Sequence, residues 1–256
     1  MSVKLVISGC CGRMGRSIAA LALSDSACSI GAALEVPGHE AIGHDYGAVL
    51  GRSANLQVPV VDDPRDAIKR GDVLVEFTVP AVTVEHVQLA QQLGKPMVIG
   101  TTGLSEAQIG SLRSAAKVIP IVFSPNMSVG VNVLFELAQV AAQRLGMSFD
   151  VEVMESHHRE KKDAPSGTAK RLAEVLALAR KQPSPSIPVH AVRAGDIVGD
   201  HTVIFAGPAE RLELTHRAHS RDVFAQGALK AAQFIVRQPP GLYDMSHVLT
   251  EATSNK

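Results

Sequence analysis

The stretch Val3-Lys4-Leu5-Val6-Ile7-Ser8-Gly9-Cys10-Cys11-Gly12-Arg13-Met14-Gly15 decides the fold. A β-branched apolar run meets a glycine-rich turn, and a helical pattern through Ile18, Leu21 and Leu23 follows at once. Strand, glycine turn and helix in that order are where a pyrophosphate loop belongs; the alternative is an ordinary strand-to-helix turn, with Glu35 a solvated strand end. Glycines let the backbone turn tightly and approach a ligand, and the helix N-terminus presents unpaired N–H groups with a positive dipole end. The spacing is G-x-x-G-x-x-G, with Cys11 where the common fingerprint has its second glycine. Glu35, at the end of the second strand pattern and about 20 residues past the last glycine, is where an acid would bond the adenine-ribose hydroxyls. The expected cofactor contacts here are Gly9, Cys10, Cys11, Gly12, Arg13, Met14 and Glu35. Val36 follows Glu35, so no cation stands ready for a 2′-phosphate; NADH is expected to be preferred or co-equal with NADPH.

Outward from this loop, short apolar runs alternate with segments of helical period, the order of a parallel sheet flanked by helices. Strands are expected at Val3–Ser8, Cys28–Leu34, Val58–Val61, Val73–Phe77, Met97–Ile99 and Val118–Phe123, and a helix with a capping box at Ser105 and Gln108. After Met127 the texture changes to a helix over Val131–Leu145, a strand over Asp150–Ser156, a loop, and a helix over Ser166–Arg180. The Gln182–Pro188 segment reads as an extended surface connection. Strands over Val189–Val192, His201–Phe205 and Arg211–His216 and a helix over Val223–Val236 close this part. Lys plus Arg and Asp plus Glu both number 25, so no overall charge draws the 256-residue chain to nucleic acid or anionic membrane. No apolar run is long enough to span a bilayer and no signal-peptide pattern opens the chain, which points to the cytoplasm. Cys10, Cys11 and Cys28 form no even disulfide framework and no C-x-x-C pair, so reduced structural thiols are expected.

A second constellation runs Glu155-Ser156-His157-His158-Arg159-Glu160-Lys161-Lys162-Asp163-Ala164-Pro165-Ser166-Gly167-Thr168-Ala169. Histidine exchanges a proton near neutral pH, and lysine does so when its surroundings lower its pKa. Ser166, Gly167 and Thr168 place hydroxyls and backbone donors at a helix start, a ready carboxylate site. The alternative is a solvated charged loop before a Ser-capped helix. A metal is not expected, because adjacent His157 and His158 on extended chain face opposite ways and H-E-x-x-H spacing is missing.

The Gly9–Gly15 loop, Glu76-Phe77-Thr78, Gly100-Thr101-Thr102-Gly103, Ser124-Pro125-Asn126-Met127-Ser128-Val129-Gly130-Val131-Asn132, the His157–Thr168 block, the Arg193–His201 segment and Gly241–Met245 together resemble the 4-hydroxy-tetrahydrodipicolinate (dihydrodipicolinate) reductase family. The resemblance implies an α/β fold: a Rossmann-like domain from residues 1–127 completed by 236–256, and an inserted α+β domain, 128–235, with a mixed sheet for substrate binding and homotetramer contacts. It implies NAD(P)H-dependent reduction of a dicarboxylate cyclic imine on the diaminopimelate route to lysine. It assigns His157 to acid–base work, Lys161 to proton donation, and His158, Ser166, Gly167 and Thr168 to substrate. Gly100, Thr101, Thr102, Ser124, Pro125, Asn126 and Met127 would line the nicotinamide side. Cys11, Val36 and Met127 depart from the family pattern, Met127 standing where an aromatic is common. Two other readings remain: another Rossmann-type dehydrogenase of semialdehydes or sugars, and a sensor that binds NAD(H) without turnover. Gly94-Lys95-Pro96 before a strand disfavours the sugar enzymes, and a sensor needs no acid–base pair.

Overall fold

The computed structural model describes residues 2–183 and 185–254; Ser184 of the proline-rich connection lies outside them, as do Asn255 and Lys256 at the end of the completing segment. In chain order the strands are β1 (Val3–Ser8), β2 (Cys28–Leu34), β3 (Val60–Val61), β4 (Val73–Glu76), β5 (Met97–Ile99), β6 (Pro120–Phe123), β7 (Asp150–His157), β8 (Val189–Arg193), β9 (Asp200–Ala206), β10 (Arg211–Arg217) and β11 (Gly241–Tyr243). The helices are α1 (Arg13–Ala22), α2 (Tyr46–Val49), α3 (Pro64–Lys69), α4 (Pro80–Leu93), α5 (Glu106–Ala115), α6 (Val129–Leu145), α7 (Gly167–Ala179), α8 (Asp222–Ile235) and α9 (Met245–Ser254). The capping box at Ser105 and Gln108 is present.

Two compact units divide the chain: Met1–Met127 with Phe224–Lys256, and Ser128–Val223. In the first, seven strands pair in parallel in the order β11-β6-β5-β4-β1-β2-β3. Strand order reverses between β1 and β4, the doubly wound arrangement that binds ligands beyond the carboxyl ends of its strands. Val6, Leu74, Met97, Ile99 and Ile121 fill its core with Val87 of α4 and Leu112 of α5. The sequence returned the chain to this unit at residue 236, whereas the structure does so at Phe224. The reason is α8: a Cβ on Gly227 would fall 1.7 Å from the Met127 carbonyl oxygen, so the helix lies against that backbone.

The second unit is a mixed sheet in the order β10-β9-β7-β8, with β7 parallel to β8 and antiparallel to β9. Leu134 and Ala138 of α6 and Leu172 and Leu176 of α7 pack with Val151, Val153, Val203 and Phe205.

Several ends differ from the sequence pattern. Val58 leaves β3 because the Asp45 carboxylate takes its N–H, at 3.2 Å, along with those of Leu56 and Gly47. Val118 and Ile119 donate back to the Ala115 carbonyl at 2.9 and 3.0 Å, extending the close of α5 and delaying β6 to Pro120. Strand β7 runs one residue further than its apolar alternation, which moves His157 from loop to strand.

Candidate active site

The loop after β1 is built by two glycines. Gly9 has φ +65°, and a Cβ on Gly15 would lie 2.3 Å from the Gly9 carbonyl oxygen, so only glycine lets α1 start this close to the turn. Among the described residues no side chain caps α1 at Gly12, so no capping side chain takes the N–H groups of its first turn, which could receive an anion. The Glu35 carboxylate bends back to the loop and accepts the Cys11 and Val36 N–H groups, both at 2.9 Å. Tyr46, which sequence reasoning missed, is wholly buried, and its hydroxyl donates to the Cys10 carbonyl at 2.7 Å. Burial pushes its phenol pKa up, so the proton for that bond stays in place. The sequence signal was only a tyrosine between Asp45 and Gly47 in a loop.

The other expected cofactor residues follow β5 and β6 of the same parallel sheet, and the segment after β4 joins them at its carboxyl edge. Glu76, fully buried, accepts from His86 Nδ1 at 2.6 Å and from the Thr78 N–H and hydroxyl, fixing the Phe77–Thr78 turn. Gly100 has no room for a side chain: its Cβ would be 2.1 Å from the Phe77 ring. The Thr101 side chain is buried, its hydroxyl accepting a hydrogen bond from Thr83 Oγ1 at 2.8 Å, while Thr102 is exposed. Ser124 Oγ donates to the Asn126 carbonyl at 2.8 Å and Pro125 is exposed. Cys10 and Met127 are buried, so toward a dinucleotide they present backbone rather than side chain; Arg13 is exposed and Met14 half-buried.

In the second unit, β7 alternates Val151, Val153, Glu155 and His157 toward the core. Glu155 has no exposed surface and its charge is fully engaged. Arg193 clasps it with two bonds of 2.8 Å, His157 Nδ1 lies 2.5 Å away, and the Ser166 N–H donates at 3.0 Å. Burial pushes the Glu155 pKa upward most strongly, yet Arg193, His157 and the Ser166 amide together hold it below the usual carboxylate range. Glu155 therefore fixes the His157 ring through Nδ1, and His157 Nε2 has no hydrogen-bond partner among the described residues. Burial lowers the His157 pKa against the pull of Glu155, and the charges of Lys161 and Arg193 lower it further.

Lys161 turns back so that its Nζ pairs with Asp163 at 2.8 Å, and its N–H donates to the His158 carbonyl at 3.1 Å. His158 is half-buried. Ser166 caps α7 by accepting from the Ala169 N–H at 3.2 Å, and a Cβ on the exposed Gly167 would meet nothing within 4 Å. Thr168 is half-buried one residue on. The structure thus gathers His157, Ser166 and three residues to which the sequence motifs gave no role, Glu155, Arg193 and His201, with Lys161 near enough that its charge lowers the pKa of both histidines. The signal for Glu155 was legible: strand alternation placed a carboxylate on a core face, where an unpaired charge is too costly to persist.

His201 packs edge-on to His157 with ring centres 5.2 Å apart; its Nε2 is 3.3 Å from Ser166 Oγ and its buried Nδ1 has no partner among the described residues. Burial, then the charges of His157, His216 and Lys161 against that of Glu155, lower its pKa to about 4. The neutral form belongs to the fold, so the unfolded chain binds the extra proton between its own pKa, about 6.5, and 4. Stability is therefore expected to fall through that window on acidification, by about 3 kcal/mol when complete. Urea midpoints from pH 7 to pH 4 check this; His201→Gln should flatten the fall, and an equal slope in both proteins would refute it.

The N-terminal family model described as Dihydrodipicolinate reductase, N-terminus matches residues 3–127, and that described as Dihydrodipicolinate reductase, C-terminus matches 130–249. The chain is 45% identical to the 4-hydroxy-tetrahydrodipicolinate reductase of Thiobacillus denitrificans, over 97% of this chain and 99% of that one. It is 43% identical to the protein of the same name from Aromatoleum aromaticum, over 97% and 96%. A dipicolinate-bound dihydrodipicolinate reductase from Paenisporosarcina sp. TG-14 superimposes with TM-score 0.78 at 26% identity, over 95% of this chain and 98% of that one.

Proposed function

The chain belongs to the dihydrodipicolinate reductase family and is an NAD(P)H-dependent oxidoreductase of the diaminopimelate route to lysine, and from this we propose how its own residues divide the work. The substrate is 4-hydroxy-tetrahydrodipicolinate and the product tetrahydrodipicolinate. The first unit holds the cofactor, with the pyrophosphate over Gly9–Met14, the adenine ribose on Glu35, and the nicotinamide side along Gly100–Thr102 and Ser124–Met127. When bound, the reduced nicotinamide supplies a hydride to the conjugated imine left by water loss.

The second unit holds the dicarboxylate. Gly167 and Thr168 grip one carboxylate at the open start of α7, where backbone donors and the helix dipole favour an anion. His158 contacts the ring substituents, Ser166 fixes the start of the helix, and Lys161 delivers the proton that the reduced ring requires. His157 presents Nε2 for acid–base work while Glu155 and Arg193 hold its orientation. The observation that carries this reading is the buried Glu155, bonded at once to His157, Arg193 and Ser166, since it joins the acid–base residue to the carboxylate-binding helix start. Loss of NADH absorbance with substrate freshly made from pyruvate and aspartate semialdehyde tests it; a folded protein that binds NADH and leaves it unoxidised would return the sensor reading.

NADH is the preferred or co-equal cofactor, because Glu35 faces the loop and Val36 beside it is an exposed aliphatic. Val36→Arg should raise kcat/KM for NADPH relative to NADH by about tenfold, the worth of one charge-assisted bond. Parallel assays check it, and a wild-type protein strongly favouring NADPH would refute the preference. We place the enzyme in the cytoplasm, the setting that fits a biosynthetic enzyme acting on a small molecule; no helix among the described residues is long and apolar enough to cross a membrane. A homotetramer is proposed from the family resemblance, and Met154 and Val192, exposed on the sheet face opposite the one packed by α6 and α7, would offer apolar contact to further copies.

A further inference from the structure

Cys10 and Cys11 stand side by side in the loop that the proposed function gives to the dinucleotide, and that function uses neither thiol. Their sulfurs are 3.8 Å apart, and with a Glu35 oxygen the three potential ligand atoms all lie within 4.8 Å of one another. Two thiolates bound at about 2.3 Å to a tetrahedral ion are about 3.8 Å apart, so the pair already has the bite of a zinc-type centre. A carboxylate oxygen as third ligand leaves a fourth position for water. The ligands are held before any ion arrives: the Cys11 N–H fixes Glu35 at 2.9 Å, and Tyr46 anchors the Cys10 carbonyl at 2.7 Å. Cys10 is buried, but Cys11 and Glu35 are partly open and give an ion its entry.

We propose that Cys10, Cys11 and Glu35 form a binding site for one thiophilic divalent cation of the zinc and cadmium class, whose occupancy excludes the dinucleotide. Binding is ligand exchange without electron transfer: each S–H releases its proton and forms a bond to the ion, and the carboxylate completes the set. Two thiolates, one carboxylate and one dication sum to a single negative charge where a diphosphate would sit, and Glu35 is withdrawn from the ribose. The exclusion clause rests on the cofactor placement proposed above. Reduced structural thiols, the expectation from cysteine count and spacing, leave this bite out, because that expectation weighed disulfides and C-x-x-C pairs alone.

The test is titration of the reduced, metal-free full chain with Cd2+, read by ultraviolet cadmium–thiolate charge transfer, with NADH affinity measured in parallel by fluorescence. One ion per chain with a two-thiolate band is expected, lost in Cys11→Ala and retained in Cys28→Ala, with Zn2+ displacing Cd2+. Glu35→Gln, which leaves both sulfurs in place, should keep the band and weaken Cd2+ affinity at least tenfold. Cd2+ at about ten times its own Kd should weaken NADH about tenfold, and NADH should weaken Cd2+ reciprocally. No band, or a band that survives Cys11→Ala, overturns the site. A band with NADH affinity unmoved overturns the exclusion and, with it, the placement of the dinucleotide on this loop.

Discussion

Lys161→Ala is expected to lower turnover about 10²- to 10⁴-fold while NADH affinity stays within about twofold, since a positioned proton donor is worth that much to the chemical step and this one lies outside the unit assigned to the cofactor. Asp163 fixes the ammonium group at 2.8 Å, and the lysine charge reaches both His157 and His201. Lys161→Arg separates the two ways the residue could act. Arginine keeps the charge that polarises a dicarboxylate ring but does not release a proton near neutral pH. Saturating kcat for the two variants, with NADH affinity by fluorescence titration, should show both far below the parent. Recovery in the arginine variant would make the role electrostatic, and normal turnover in Lys161→Ala would remove Lys161 from the reaction.

The two constellations were legible in the sequence to different depths because different physics writes them. The loop proposed for the dinucleotide is local: strand, glycines and helix are contiguous, and the steric demand at Gly15 leaves its trace in a single residue. Glu35 is one crossover away at a fixed chain distance, and the parallel order of the sheet follows from the alternation of elements. What surrounds His157 is not local. Glu155 and Arg193 are 38 residues apart and meet only because β7 and β8 pair in parallel with His157 opposite Arg193. Strand β11 is three residues between a Pro-Pro pair and Asp244, too short to show a period, and is held by its pairing with Pro120–Val122. Tyr46 is a further case: its role lies in two backbone carbonyls supplied by Cys10 and Gly15, far along the chain.

Arg193→Met should cost the second unit about 3–5 kcal/mol, because it leaves the Glu155 charge buried without the cation that clasps both its oxygens. The bond from Arg193 to the Asp163 carbonyl, at 2.6 Å, goes with it and loosens the segment carrying Lys161. The pH dependence identifies the cause. In the parent, Glu155 is held below the usual range, so its contribution is present above the unfolded carboxylate pKa and is lost as pH falls through the folded value. Without Arg193, burial dominates and the folded pKa rises above the unfolded one, so acidification favours the folded variant at this position. The stability gap measured by urea midpoints should therefore be widest near pH 7 and narrow toward pH 4, whereas a merely packing role would leave it constant. Arg193→Met with Glu155→Gln should be less damaged than the sum of the single changes, since the neutral amide no longer needs the cation. His157, the proposed acid–base residue, reports the same event. Losing the Arg193 charge and gaining an unpaired Glu155 both raise its pKa, so the acid limb of kcat/KM should move to higher pH in Arg193→Met and move back in the double variant. An unmoved limb would separate Glu155 and Arg193 from the acid–base residue and leave them a purely structural pair.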